Sequence, residues 1–288
     1  MTIPEAPLLS VEDLHVEFDT PKGVVHAVRG VSFDLGREKL GIVGESGSGK
    51  SQTGRAILGL LASRGRAHAK HVLFDGIDLL RADERTMRTI RGDRISMIMQ
   101  DPKYSLNPVI SVGKQIEEAY LVHTKATRRE ARERTLEMLE AVRIRDPRRV
   151  YDAYPHEVSG GMGQRIMMAM MMIPQPDIII ADEPTSALDV TVQMQVLAIL
   201  DDMVSQRGMG LIFISHDLNL VASFCDRVMI MYAGQVMEIR DAADLQNAQH
   251  PYTRGLLNCL PQVGDPGREL PVLKRDPAWT EMKEGSGD

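Results

Sequence analysis

The chain has 288 residues, 43% of them hydrophobic and 26% charged, the composition of an ordinary globular protein whose core needs no disulfide or metal staple. A net charge of -6 and a pI near 5.8 argue against bulk nucleic-acid binding, which leaves a basic footprint. Cys225 and Cys259 lie 34 residues apart with no histidine at ligand spacing, so they form no metal pattern and imply no oxidising compartment.

Met1–Ser10 has no apolar core, so no export signal is expected there. The longest apolar stretch, Ile166–Ile173, is about eight residues, far short of the ~20 that cross a bilayer. If the chain serves a membrane process, other chains supply the spans.

Leu8–Phe18 reads as a strand, with apolar positions at Val11, Leu14, Val16 and Phe18. Thr20–Gly23 is a turn, and Val24–Val31 and Ser32–Leu35 continue the β pattern. Leu40–Val43 is a short apolar strand that runs into Gly44. After Lys50 the period becomes helical, with Ala56, Ile57, Leu60 and Leu61 on one face. Val72–Phe74 and Ile95–Met99 are strands, the second followed by Gln100. From 101 to about 157 the chain reads as helical and charged, a subdomain insert. There Ala131, Thr135, Leu139 and Val142 form one stripe, and the arginines opposite are read as a solvated face. Ile178–Ala181 is a fully apolar strand of the buried parallel kind. Helices over Gln193–Val204 and Leu218–Phe224 then alternate with strands over Gly210–Ser215, Arg227–Tyr232 and Val236–Ile239. This alternation defines an α/β domain with a largely parallel sheet. From Gln262 onward Pro, Gly and charge dominate, and little fixed structure is expected at the end.

Gly44-Glu45-Ser46-Gly47-Ser48-Gly49-Lys50-Ser51 fits G-x-x-x-x-G-K-S between a strand and a helix, the context the motif requires. Its glycines let successive backbone N–H groups turn inward around phosphates, and the following helix N-terminus adds partial positive charge. Lys50 supplies a point charge for the β- and γ-phosphates, and Ser51 a hydroxyl for Mg²⁺. The strand Ile178–Ala181 ends in Asp182 and Glu183, at the sheet edge where such folds bind ligands. Asp182 is expected to hold Mg²⁺ through water, and Glu183 to act as general base for attack on the γ-phosphate. Two adjacent carboxylates with no cation nearby would repel.

Val158-Ser159-Gly160-Gly161-Met162 opens a helix 23 residues before Asp182. A helix cap explains Ser-Gly-Gly on its own, yet the same geometry is a second anion cradle. With these motifs in this order the chain resembles the ABC ATPase family over roughly residues 8–260. The resemblance implies a P-loop NTPase domain over 1–260, with a mostly parallel core sheet, an antiparallel β subdomain and a helical subdomain at about 101–165. A partly flexible C-terminal extension would occupy 261–288. Two subunits then pack head to tail around ATP and Mg²⁺. Gly44, Glu45, Ser46, Gly47, Ser48, Gly49, Lys50, Ser51 and Gln52 serve the chain's own nucleotide; Ser159, Gly160, Gly161 and Met162 serve its partner's. Leu-Ser-Gly-Gly-Gln is commoner in the family, and Met162 in place of Gln resembles its peptide-importer branch. Gln100 corresponds to the glutamine that joins Mg²⁺ and attacking water to the helical subdomain. Ser186–Asp189 matches the loop that crosses the dimer interface, and His216 the histidine at the γ-phosphate. Phe18 corresponds to the aromatic that stacks on adenine, a core phenylalanine being the other reading.

Gln100–Pro108 and His250–Leu257 resemble segments of oligopeptide, dipeptide and nickel importers. Some relatives hold an iron–sulfur centre near this tail; with Cys259 alone there, none is expected here. The implied partners are transmembrane permease subunits, a second identical or homologous ATPase and, indirectly, an extracytoplasmic solute-binding protein. No nucleic acid is among them. The implied location is the cytoplasmic face of the inner membrane, and the solute is a peptide, an opine, another peptide-like compound or nickel. Two other classes compete: a soluble ABC ATPase working on nucleic acid or ribosomes, and a catalytically dead module. The first usually has tandem cassettes or basic extensions, and the second would not need Lys50, Asp182, Glu183 and His216 together.

Overall fold

The computed structural model describes residues 6–100, 105–186 and 188–259, together with Asp276 and Trp279. Asp101–Tyr104 of the importer-like segment, Ala187 of the interface loop and the expected flexible tail lie largely outside the described residues. The chain divides into two compact units, Met1–Ala82 with Phe213–Asp288, and Asp83–Ile212.

The elements begin with strands β1 (Leu9–Thr20), β2 (Gly23–Leu35) and β3 (Lys39–Gly44), followed by helix α1 (Lys50–Ile57). Short strands β4 (Gly65–His68), β5 (His71–Phe74) and β6 (Ile77–Asp78) follow. The second unit opens with α2 (Glu84–Ile90) and β7 (Ile95–Ile98). Its helices are α3 (Val112–Leu121), α4 (Arg128–Ala141), α5 (Pro147–Asp152) and α6 (Gly160–Met172). Then come β8 (Ile178–Asp182), α7 (Val190–Arg207) and β9 (Gly210–Ser215), whose end enters the first unit. The chain continues through α8 (Leu218–Phe224), β10 (Arg227–Tyr232), β11 (Gln235–Asp241) and α9 (Pro251–Asn258).

In the first unit an antiparallel sheet runs β2-β1-β5-β6, with β4 also paired to β1. Val11 and Leu14 are both buried although they are three apart, which breaks a period of two. Asp13 explains this: its φ of 56° and the register shift between Val11 and Leu14 mark a bulge that restores the phase. A second part of this unit pairs β10 parallel to β3, from Arg227↔Leu40 to Met231↔Gly44, with β11 antiparallel on its other side. Helix α1 stops at Ile57 because Gly59 takes a φ of 62°, the left-handed residue that closes a helix. Leu60, expected on the helix face, therefore lies beyond it and is exposed.

In the second unit β7 pairs parallel to β8, Ile95 opposite Ile178 and Ile98 opposite Ala181. Every residue of β8 is buried, which is why its sequence is apolar throughout rather than alternating. Thr127 and Glu130 close a capping box on α4, and Ala131, Thr135, Leu139 and Val142 are buried as their spacing predicts. The opposite face is solvated, with Arg129–Glu133 and Arg134–Glu137 ion pairs. The apolar run from Ile166 lies mostly in α6 and is largely buried, its methionines filling irregular space.

The His250–Leu257 segment has a physical anchor in the first unit. Glu238 accepts hydrogen bonds from the Gln249 N–H (2.8 Å), the His250 N–H (3.1 Å) and Arg240 (2.6 Å). His250 then caps α9, and Tyr252, fully buried, lies 4.6 Å from the Tyr232 ring. Burial pushes the Glu238 carboxyl up, but these donors outweigh it and hold the pKa down at about 2. A depressed carboxylate stabilises the fold above its unfolded value near 4.5, and that contribution is lost as pH falls toward 2. Glu238→Gln is therefore expected to cost on the order of 3 kcal/mol at neutral pH. The gap to wild type should close between about pH 4.5 and 2, as read by urea unfolding at stepped pH. A gap that stays constant across that window would refute the assignment.

Candidate functional site: a phosphate loop and an acidic strand end

In the first unit the loop Gly44–Ser51 leaves β3, which is buried along most of its length, and enters α1. Close packing dictates its glycines. A Cβ on Gly44 would fall 2.1 Å from the Met231 carbonyl oxygen, and one on Gly49 2.4 Å from that of Ala27. Gly47 and Gly49 have φ of 80° and 98°, values that glycine adopts without strain. Nothing lies within 4 Å of a Cβ built on Gly47, so that face of the loop is open. Lys50 is buried, its ammonium donating to the carbonyls of Gly44 (2.8 Å) and Glu45 (2.9 Å). The Ser48 hydroxyl is buried with no hydrogen-bond partner. Such an orphan costs about 1–3 kcal/mol unless something binds it. A lysine and an unsatisfied hydroxyl in a glycine-rich loop suit the oxygens of a polyphosphate. Ser51 and Gln52 follow on the first turn of α1, half-buried.

His216 leaves the end of β9 and is exposed, unlike a core histidine. Asp217 fixes the direction of the chain there by capping α8 through the Leu220 N–H. Phe18 is half-buried near the end of β1, outside the core that takes Phe33, Phe74 and Phe213. Gly65 makes room for its ring, since a Cβ there would lie 2.7 Å from Phe18 Cε1.

In the second unit Asp182 ends β8 and is buried. Glu183 turns the chain with a φ of 47°, a left-handed conformation costing a non-glycine residue about 1–2 kcal/mol. Its carbonyl accepts from the Ser186 N–H and hydroxyl, which holds the turn. Its carboxylate accepts a hydrogen bond from Gln100 Nε2 at 3.3 Å, across 83 residues of sequence. Strain concentrated at a carboxylate is a mark of functional sites.

Ser159 caps α6 and accepts from the Met162 N–H at 3.4 Å. Gly160 is exposed with open space where a Cβ would stand, while a Cβ on Gly161 would fall 2.6 Å from Val192 Cγ1. Asp189 caps α7 by accepting from the Val192 N–H at 3.1 Å. The second unit thus assembles Gln100, Asp182 and Glu183, and joins the start of α6 to the start of α7. Sequence reading missed the Ser48 orphan as such and the Gly161–Val192 packing, which have no local signature.

A phosphate loop opening a helix and a buried strand ending in paired carboxylates define a nucleotide-binding α/β protein. The family model described as ABC transporter matches residues 28–186. The oligopeptide transport ATP-binding protein OppD of Salmonella typhimurium is 46% identical over 276 residues, 95% of this chain and 82% of that protein. The dipeptide transport ATP-binding protein DppD of Bacillus subtilis is 48% identical, over 94% of this chain and 82% of that protein. Among solved structures, a dimeric bacterial ABC transporter cassette matches with a TM-score of 0.72 and 26% identity, over 81% of this chain and 98% of that one. The chain belongs to the ATP-binding subunits of the ABC transporter family. Among the described residues no helix is long and apolar enough to cross a membrane.

Proposed function

We propose that this chain hydrolyses ATP to drive import of peptides or peptide-like solutes through an ABC transporter. The observation that carries the ATPase reading is the Gln100–Glu183 pair set beside the buried Asp182. The peptide branch is supported by the likeness to OppD and DppD along nearly the whole chain.

In this reading the loop amides of Gly44–Gly49 and the Lys50 ammonium bind the phosphates. Lys50 exchanges its present bonds to the Gly44 and Glu45 carbonyls for phosphate oxygens. Ser51 on the first unit, and Gln100 and Asp182 on the second, would be the oxygen donors for Mg²⁺, which would supply charge neutralisation at the phosphates. Gln52 contacts the nucleotide from the first turn of α1, and Phe18 gives adenine a ring to stack on. Glu183 takes the proton of the attacking water, Gln100 orients the carboxylate, and His216 donates toward the γ-phosphate. Ser159, Gly160, Gly161, Met162 and Asp189 face a nucleotide held by a second subunit, identical or homologous. That the related cassette is dimeric supports this arrangement.

The chain would bind permease subunits peripherally, at the cytoplasmic face of the inner membrane, and meet an extracytoplasmic solute-binding protein only through them. The test is co-expression with the membrane subunits, then reconstitution in vesicles. Labelled peptide uptake that requires both ATP and this chain is the expected result. A chain that stays apart from any membrane subunit, with ATPase activity stimulated by RNA, would overturn it.

A further inference from the structure

The second unit contains a cavity of about 550 Å³ whose walls are dominated by arginine. Arg143, Arg145, Arg149 and Arg165 all line it, against a single carboxylate, Asp146. The chain as a whole carries a net charge of -6, so this local excess of cations is not a reflection of composition.

Their pairing is incomplete. Arg143 meets Asp202 at 2.7 Å, with both side chains about half exposed. Arg149 reaches Asp146 only at 3.8 Å, and Asp146 is already engaged in capping α5 through the Arg149 N–H. Arg145 has neither an ion-pair nor a hydrogen-bond partner among the described residues. Arg165 donates Nε to the Gly161 carbonyl (3.1 Å) and NH1 to the Arg143 carbonyl (2.8 Å), both neutral acceptors. Burial, and then repulsion from Arg145, push the Arg165 guanidinium below its ordinary range. Two guanidiniums that repel while one is partly desolvated are an unfavourable arrangement, and a bound anion relieves it. On α4, by contrast, Arg129 and Arg134 each pair with a glutamate on the same helix.

We propose that this cavity binds a multiply charged, phosphate-bearing anion through Arg145, Arg149 and Arg165. Guanidinium forks pair with phosphate oxygens two at a time, and several of them around one cavity favour a ligand with several charges. The volume is that of a small-molecule site. Ser159 and Met162 also line the cavity. The phosphate chain can therefore come from a nucleotide on a facing subunit, a source that rests on the function proposed above. A free phosphorylated small molecule is the other source and does not.

The test titrates tripolyphosphate into the full-length chain carrying Lys50→Ala, which removes the competing phosphate loop. Calorimetry should show one site per chain that weakens with added salt. Arg145→Glu is the discriminating variant because this residue is exposed and braces nothing. It should weaken tripolyphosphate at least tenfold, with Arg145→Lys retaining part of the affinity. Absent binding, or equal affinity in Arg145→Glu, overturns the proposal whatever the ATPase activity. The source is then read in chains with an intact phosphate loop by ATP-dependent association in sedimentation. Weakened association in Arg145→Glu assigns the site to a nucleotide on the facing subunit. Unchanged association, with tripolyphosphate binding still lost, assigns it to a free ligand.

Discussion

Glu183→Gln is expected to lower ATP turnover about 10²- to 10⁴-fold while leaving nucleotide affinity close to wild type. The exchange keeps size and the ability to hydrogen-bond Gln100, 3.3 Å away, so the turn at φ 47° has no reason to relax. What it removes is a group able to take a proton from water. Loss confined to the chemical step should leave ATP bound for longer and favour any closed, nucleotide-bridged dimer. Single-turnover hydrolysis and equilibrium nucleotide binding, measured on the same preparation, separate the two effects. Turnover at the wild-type rate would remove Glu183 from the role of base. A parallel loss of affinity would mean that it holds ground-state ligand instead.

Gly49→Ala should have the largest effect on the phosphate loop itself. Its φ of 98° costs an alanine about 1–2 kcal/mol before any contact is considered. Its Cβ would then sit 2.4 Å from a backbone oxygen, of Ala27, which cannot swing away as a side-chain tip can. Together these should remove several kcal/mol from a total that is usually about 5–15. Nucleotide binding should be lost with the loop. Gly47→Ala is the matched control: φ is also left-handed, at 80°, but nothing lies within 4 Å. It should cost only the conformational part, about 1–2 kcal/mol. Urea midpoints for the two variants differ widely if overlap with the backbone is what fixes Gly49, and coincide if only its dihedral matters.

Much of the fold follows from local pattern because the signals are strong and contiguous. Ile178–Asp182 is apolar until its acidic end and is a buried strand, and β9, α8 and β10 begin and end where their patterns do. The phosphate loop is readable for the same reason, since its chemistry occupies adjacent residues. Features made by distant residues are not. The Asp13 bulge hides inside an apparently regular strand, and Gly59 cuts short a helix whose apolar period continues to Leu61. The Gln100–Glu183 bond joins two residues 83 apart, a pairing that no spacing rule supplies. The two readings of Phe18 differ only in what covers its ring, which no local pattern encodes; the ring is half-buried and packs against Gly65. The arginine-lined cavity is closed only when the stretch from Arg143 to Val150 meets Arg165 on α6 and Gln195 on α7, a convergence that no local pattern encodes.

The packing of Gly161 on Val192 has a mechanical side. The first turn of α6 carries the Ser-Gly-Gly segment, and the first turn of α7 follows directly on the loop that ends at Asp189. With a methyl of Val192 occupying the space where Gly161 lacks a side chain, neither turn can advance without pushing the other. Two stretches of chain that read in sequence as separate contacts to a neighbour therefore abut at their first turns. A displacement of either turn toward the other would be passed on through this contact, because close-packed groups leave no slack to absorb it.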